Sequence, residues 1–386
     1  MTENFSRQVF DRFSLALDEL KSQENLAQRI GIYSRITRAE LATLLTTAFW
    51  ASLTPEEGAY SNLRISFGPP NESESDFVFL QPQDYSPEQL SDLAPALVNT
   101  RRTIGVWYSE SAKLQIWGWA HTPYWDVSIT ATMPGQLVFS MLAPENGFKL
   151  AVSGSWSGIL DRTRTPLYWA YLGGSEPSLV GLEELEILGR SMMREGSYEW
   201  IVRGMLEHNH GGTLIIIPEN NKVWRNCCAI RYESVSPFEE LRNNTECWEH
   251  EIKKGVADGQ WFSSSDFNRQ RVEESSKMVA QLTAVDGATI IGRDLEVYGF
   301  GAKLAPRNSQ LKPGKVLRST LFEGAPYDQV TMTALGGTRH QSAAQFVYDH
   351  PGCFAIVCSQ DGRVSSMHWD SDRGAVVVIT NLEYSL

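Results

Sequence analysis

The chain has 386 residues, a hydrophobic fraction of 42%, a charged fraction of 21% and a formal net charge of −12. Domains run to roughly 100–200 residues, so these values suit a globular protein with apolar surface for two cores. The acidic balance argues against a general nucleic-acid binder, no stretch reaches the roughly 20 apolar residues that span a bilayer, and the polar N-terminus is unlike a secretory signal.

In chain order, Phe5–Ile30 places Val9, Phe10, Phe13, Leu17 and Leu20 at helical spacing. Ala39–Leu53 repeats the pattern with Leu41, Leu44, Leu45 and Phe49, and Pro55 and Gly58 stop it. From Leu63 to Ala170 the pattern changes to strands: LRISFG, DFVFLQ, TIGVWYS, LQIWGWA, WDVSITATM, GQLVFSML and FKLAVSGSW, punctuated by Gly, Pro, Asn and Asp. Seven of the twelve Trp lie in this half, including Trp50, Trp107, Trp117 and Trp119. Core packing accounts for that load, and a ligand groove is the alternative. Pro177–His208 reads as a connector helix or helix pair, which sets the domain boundary near Leu188: an α+β domain over 1–188 with an antiparallel sheet, then an α/β domain over 189–386.

The second half alternates element types. TLIIIP (Thr213–Pro218) is a buried-strand run, and Asn268–Ala284 fits a helix. Ala288–Leu304 reads as a hairpin reversing at Arg293-Asp294. Thr338–His350 reads as a short helix, FAIVCS and RVSSMHW form a hairpin across Gln360-Asp361-Gly362, and AVVVIT is a last strand. A mixed sheet flanked by helices accommodates all of these.

Three segments carry candidate chemistry. Asp286-Gly287-Ala288 sets a carboxylate before a strand, followed by residues that let a ligand approach the backbone; taken alone, the tripeptide is more simply a turn. Gly336-Gly337-Thr338-Arg339-His340 opens an apolar helix, whose unpaired N–H groups favour an anion. There Thr338 can cap the helix, and Arg339 and His340 add donors suited to phosphate. Ser359 ends a strand where its hydroxyl can either meet a phosphate or satisfy the turn.

Together, in this order, the segments resemble the diadenylate cyclase (DisA_N) family over roughly Gly204–Met367. Asp286-Gly287-Ala288 matches its DGA motif, Gly337-Thr338-Arg339-His340 matches the core of its RHR motif, and Val357-Cys358-Ser359 lies at its VSEE-like strand end. The resemblance implies condensation of two ATP into cyclic di-AMP, with Asp286 binding Mg²⁺ or Mn²⁺ and Asp286, Arg339 and His340 catalytic. It also implies ATP contacts from Gly287, Ala288, Leu304, Gly337, Thr338, Arg339, His340 and Ser359, and a homodimer or higher homo-oligomer with face-to-face sites. AFWASLTPEEG (Ala48–Gly58) and IGVWYSESAKLQIWGW (Ile104–Trp119) look like the DACNV sensor domain found ahead of such cyclases.

The chain departs from the family pattern in three places. Gln341 stands where the motif has a second arginine, and Gln360-Asp361 replaces an acidic pair. A long connection separates Leu304 from Gly337, and its basic run, Lys303–Arg318, could supply the missing cation, form a lid or be a solvated loop. A domain that binds adenine nucleotide or cyclic dinucleotide without making product is the rival reading. His208 and His210 lack metal-site company, and Gly299-Phe300-Gly301 lacks the third glycine of a dinucleotide fingerprint. Five cysteines without metal spacing point to a reducing cytoplasm, with no membrane and no nucleic acid as partners.

Overall fold

A computed structural model gives the architecture. It describes residues 37–384 apart from 56–62, 71–74, 98–101, 110–112, 122–126, 142–147, 154–155, 160–184, 209, 219–222, 258–265, 308–311 and 323. The helix expected over Phe5–Ile30 and the start of the one expected from Pro177 lie outside the described residues. The fold is mixed α/β with two separate sheets, and contacts divide it into compact units at Met1–Arg162 and Thr163–Leu386.

The first described element of the first unit is α1 (Arg38–Ser52). Thr37 and Glu40 close a reciprocal capping box: Glu40 N donates to Thr37 Oγ1 at 3.3 Å, and Thr37 N donates to a Glu40 carboxylate oxygen at 2.7 Å. Leu41, Leu44, Leu45, Ala48 and Ala51 then recur at three- and four-residue intervals and are buried. They meet a sheet of eight strands: β1 (Arg64–Phe67), β2 (Ser75–Asp84), β3 (Arg102–Tyr108), β4 (Leu114–His121), β5 (Val127–Met133), β6 (Gln136–Met141), β7 (Phe148–Ser153) and β8 (Trp156–Ile159), in spatial order β2-β4-β3-β1-β5-β6-β7-β8. A seven-residue helix, α2 (Pro87–Leu93), lies between β2 and β3 in the chain. The sheet expected to be antiparallel is mixed, because β1 pairs parallel with β3 (Ile65 with Ile104). The connection from β1 to β3 carries β2 and α2, the long crossover that a parallel pair requires. Trp117 is buried with its indole N–H on Gly68 O at 2.9 Å, and Trp107 and Trp119 pack against the core, as structural aromatics do.

The second unit opens with α3 (Leu185–Glu207), a helix that spans the boundary expected near Leu188. Its sheet has nine strands: β9 (Gly212–Ile217), β10 (Cys228–Phe238), β11 (Ala288–Gly292), β12 (Val297–Leu304), β13 (Val316–Thr320), β14 (Asp328–Val330), β15 (Phe354–Cys358), β16 (Val364–Asp370) and β17 (Ala375–Thr380), ordered β10-β12-β11-β9-β15-β16-β17-β13-β14. Strands β9, β11, β15 and β17 are buried almost throughout, as central strands covered on both faces must be. One face carries α6 (Thr338–Asp349), whose Ala343, Ala344, Phe346 and Val347 join Ile215, Ile217, Ile290 and Val357 in one cluster. Elsewhere α3, α4 (Glu240–Ala257) and α5 (Asp266–Leu282) pack on one another, and α3 meets β15 where Cys358 Sγ approaches Met205 O at 3.7 Å. Cys353 and Cys358 are free and buried, and burial pushes both thiols up to about 12. Among the described residues no helix is long and apolar enough to cross a membrane.

Part of the long connection after Leu304 is sheet. Its residues Val316–Thr320 form β13, paired parallel with β17, and Asp328–Val330 extend the sheet edge as β14.

Candidate functional site

Strand register gathers the candidate segments at one end of the nine-stranded sheet. β9 and β11 run parallel with Thr289 level with Leu214, so the residues preceding each strand, Gly211 and Asp286, emerge side by side. β15 runs antiparallel to β9 with Cys358 level with Gly212, which delivers Ser359 to the same end.

Gly211 joins the third segment to these. It adopts φ +67°, where an L side chain is strained, and a carbon placed on it would lie 3.2 Å from Arg339 Nη1, 3.1 Å from Cys358 O and 3.3 Å from Gln360 N. The bare backbone thus lets the Arg339 guanidinium lie over the mouth of β9, beside the turn that follows β15. Gly287 is required for a different reason. At φ +111° its missing side chain would meet the Gly301 carbonyl carbon at 2.5 Å, so Asp286 leaves the loop where it presses on β12.

Asp286 is exposed, Arg339 is half-buried, and among the described residues no ion pair engages either. His340 follows Arg339 and is half-buried, its ring beside Gly336. Burial holds its imidazole below the ordinary range, with the Asp361 carboxylate opposing. The ring is therefore a neutral donor or acceptor near neutral pH.

Two residues differ from what their positions suggest. Gly337, not Thr338, is the N-cap of α6: it is extended at φ −70° and ψ −175°, so Thr338 already lies in the first turn and its hydroxyl does not cap the helix. No side chain caps that end, and Gly336, Gly337 and Thr338 are exposed. The Ser359 hydroxyl is engaged by its own turn, bonded to Asp361 and 3.1 Å from Arg363 O, while Arg363 N donates back to it at 3.2 Å. That bond to Ser359 is the main cause holding Asp361 below the usual carboxylate range. Leu304 is half-buried against the core, and the chain beyond it reaches the far end of α6, where Arg307 N donates to Asp349 at 2.9 Å.

Two residues named from the sequence take positions that it left open. Arg318 in β13 extends from the basic run to donate to Ala334 O at 3.4 Å, two residues before Gly336, and so brings a second cation to the mouth of α6. Gln341, in the place of the missing arginine, donates to Gly336 O at 2.8 Å and shapes the glycine turn. The double glycine His210-Gly211-Gly212 was the available signal for Gly211, but its closeness to Arg339 depends on a fold-level approach that no local pattern encodes.

Among the described residues no group of three or more His, Cys, Asp or Glu could hold a metal unaided. A lone open carboxylate beside cationic and backbone donors fits a divalent ion that arrives with phosphate oxygens and water as its other ligands. It does not fit a resident structural metal.

Comparison with known proteins gives the first unit a class. A family model described as Probable sensor domain DACNV matches residues 36–121, a span that includes α1 and the strands through β4. Both strings that carried the resemblance fall inside it, so this stretch matches a sensor domain. No curated protein matches the chain. Among solved structures, a structural-genomics crystal structure described as the hypothetical membrane spanning protein from Bacillus cereus is similar over 47% of this chain at 12% identity and a TM-score of 0.23. The matched part covers 60% of that structure, less than two thirds of its length, and a likeness of this size carries no argument.

Proposed function

We propose that the second unit is a diadenylate cyclase domain that condenses two ATP into cyclic di-AMP and two pyrophosphates, with the sensor-like first unit adjusting its output. The observation that carries this reading is the contact of Arg339 with Gly211 beside the Asp286 loop, which joins motifs some fifty positions apart. In this reading the triphosphate lies on the uncapped entrance of α6, where backbone N–H groups and the helix dipole favour anions. Arg339 and Arg318 supply planar cations. His340, neutral, contributes a hydrogen bond rather than charge.

Asp286 is the residue that would hold Mg²⁺ or Mn²⁺. The ion, when bound, neutralises phosphate charge and lowers the pKa of a coordinated hydroxyl. Each ribose 3′-oxygen then forms a bond to the α-phosphorus of the other nucleotide as the bond to the bridging β-phosphate oxygen breaks; the 3′-hydroxyl proton leaves to water and pyrophosphate departs. Such transfer depends on positioning and electrostatics and needs no protein nucleophile. Because each domain holds one ATP, two copies of the chain must meet face to face, at least transiently.

Two features favour a second reading, a domain that binds adenine nucleotide or cyclic dinucleotide without turnover. The Ser359 hydroxyl is engaged within its turn, and the motif's second arginine is replaced by a glutamine that bonds Gly336 O. Incubation of the purified chain with ATP and either metal, with product analysis, separates the two. The cyclase reading expects cyclic di-AMP that falls by at least about 100-fold in Asp286→Asn. ATP binding without product at any metal or protein concentration selects the second reading.

A further inference from the structure

A single imidazole ties the helix that opens the second unit to the loop that bears Asp286. His208 caps the C-terminus of α3, its backbone N–H donating to Gly204 O at 3.3 Å. Both ring nitrogens are engaged. Nδ1 lies 3.1 Å from the backbone N of His210, which can only donate, so Nδ1 is the acceptor and the ring proton sits on Nε2. Nε2 lies 3.1 Å from Thr283 Oγ1, and Thr283 gives its own hydroxyl proton to Ala280 O at 2.7 Å. Every donor in the chain therefore has one acceptor, running from His210 N–H through the ring and the threonine hydroxyl to the end of α5.

Both ends of this chain reach the candidate site. Thr283 is buried and stands three residues before Asp286; a carbon placed on Gly212 would lie 2.6 Å from its Oγ1, so the hydroxyl fills the space beside the first residue of β9. His210 immediately precedes Gly211, on which Arg339 rests. The described His, Cys, Asp and Glu side chains here form no metal cluster.

We propose that His208 is a positioning residue of the candidate site, holding the Asp286 loop through Thr283 and the Gly211 segment through the His210 amide. The proposal rests on the nucleotide reading for its consequence but not for its mechanical content. If the tie is cut, the loop and the glycine segment lose their common anchor, and Asp286 and Arg339 move independently.

The test uses the full chain and four variants: His208→Ala, Thr283→Val, the double variant, and Thr283→Ser, which keeps the hydroxyl. Amide hydrogen exchange at Val285–Ala288 is followed without nucleotide, and ATP with Mg²⁺ is titrated separately. The expected result is exchange faster by at least about fivefold to tenfold in His208→Ala and in Thr283→Val, each of which removes two hydrogen bonds of the chain. ATP affinity falls by a similar factor, the double variant falls short of the sum of the two single effects because they share the Nε2–Oγ1 bond, and Thr283→Ser behaves as the wild type. Should His208→Ala fail to fold, the Thr283→Val and Thr283→Ser pair decides alone. Exchange at Val285–Ala288 unchanged in the folded variants overturns the tie. A wild-type chain that binds no ATP, with the exchange differences intact, instead removes the nucleotide reading and leaves the tie standing.

Discussion

The two ends of the nine-stranded sheet treat charge in opposite ways. At the end where the hairpin β11–β12 turns, Arg242 lies 3.0 Å from Glu239, 3.9 Å from Glu246 and 4.0 Å from Asp294, and also pairs with Glu296. Tyr298 donates to Glu296 at 3.0 Å, and Arg293 donates to Gly352 O at 2.7 Å. A cavity of about 460 Å³ bordered by Ser234, Pro237, Asn243 and Arg271 opens there, but its charged neighbours already serve the fold. At the other end Asp286 and Arg339 have no ion-pair partners among the described residues, and bare glycine backbone surrounds them. Charge that is matched internally marks structure; the proposed function takes the charge left open beside small residues as its binding place. The cavity is thus a poorer guide to chemistry than the balance of charges.

Acid should act on the structural end first. His368 is 4% exposed, its ring stacked on Phe354 at 5.9 Å, and burial pushes it to about 4, with Asp370 opposing. Its folded value lies below its ordinary one, so the unfolded chain takes up the proton more readily as pH falls. The contribution is intact above pH about 6.5 and is lost between there and pH about 4, an effect of about 3 kcal/mol. Urea unfolding at pH 7 and pH 4.5 should show a smaller drop in His368→Gln than in the wild type. Equal drops would assign the acid response elsewhere.

Exchanging arginines between the comparison's two sides gives the next effect. Arg339→Ala should weaken ATP binding by about 10- to 100-fold, the loss of one charge-assisted bond, and leave the unfolding midpoint nearly unchanged. Arg242→Ala should do the reverse, costing about 2 kcal/mol of stability by stranding Glu296 and Asp294, with ATP affinity untouched. If both variants move both quantities, the division between the ends is false. The smallest expected change is at Gly337, where an added carbon meets no atom within 4 Å. Gly337→Ala should cost less than about 1 kcal/mol by denaturant titration.

Much of this was legible in the residues. The α1 stripe, the buried run of β9 and the Asp-Gly turn between β15 and β16 are local patterns, and each lies where the sequence puts it. The elements that escaped have weak local signals. β10 is exposed along most of its length and so lacks alternation, α2 has only seven residues, and β13 begins inside a run of cations and is buried chiefly by its pairing with β17. At the site, the order of the motifs could be read from the chain, but hydroxyl roles could not. Whether Thr338 caps or Ser359 stays available depends on one-residue shifts and on Asp361 as a competitor, both decided by three-dimensional packing.

Gly287 separates ancestry from activity within its own tripeptide. Because its conformation and its abutment on Gly301 are demanded by the strands, a descendant that abandoned turnover would still be compelled to keep this glycine. The neighbouring carboxylate, with no ion-pair partner among the described residues, would drift as soon as selection for the proposed chemistry ceased. In such a lineage the glycine records descent, and the acid alone tracks the proposed chemistry.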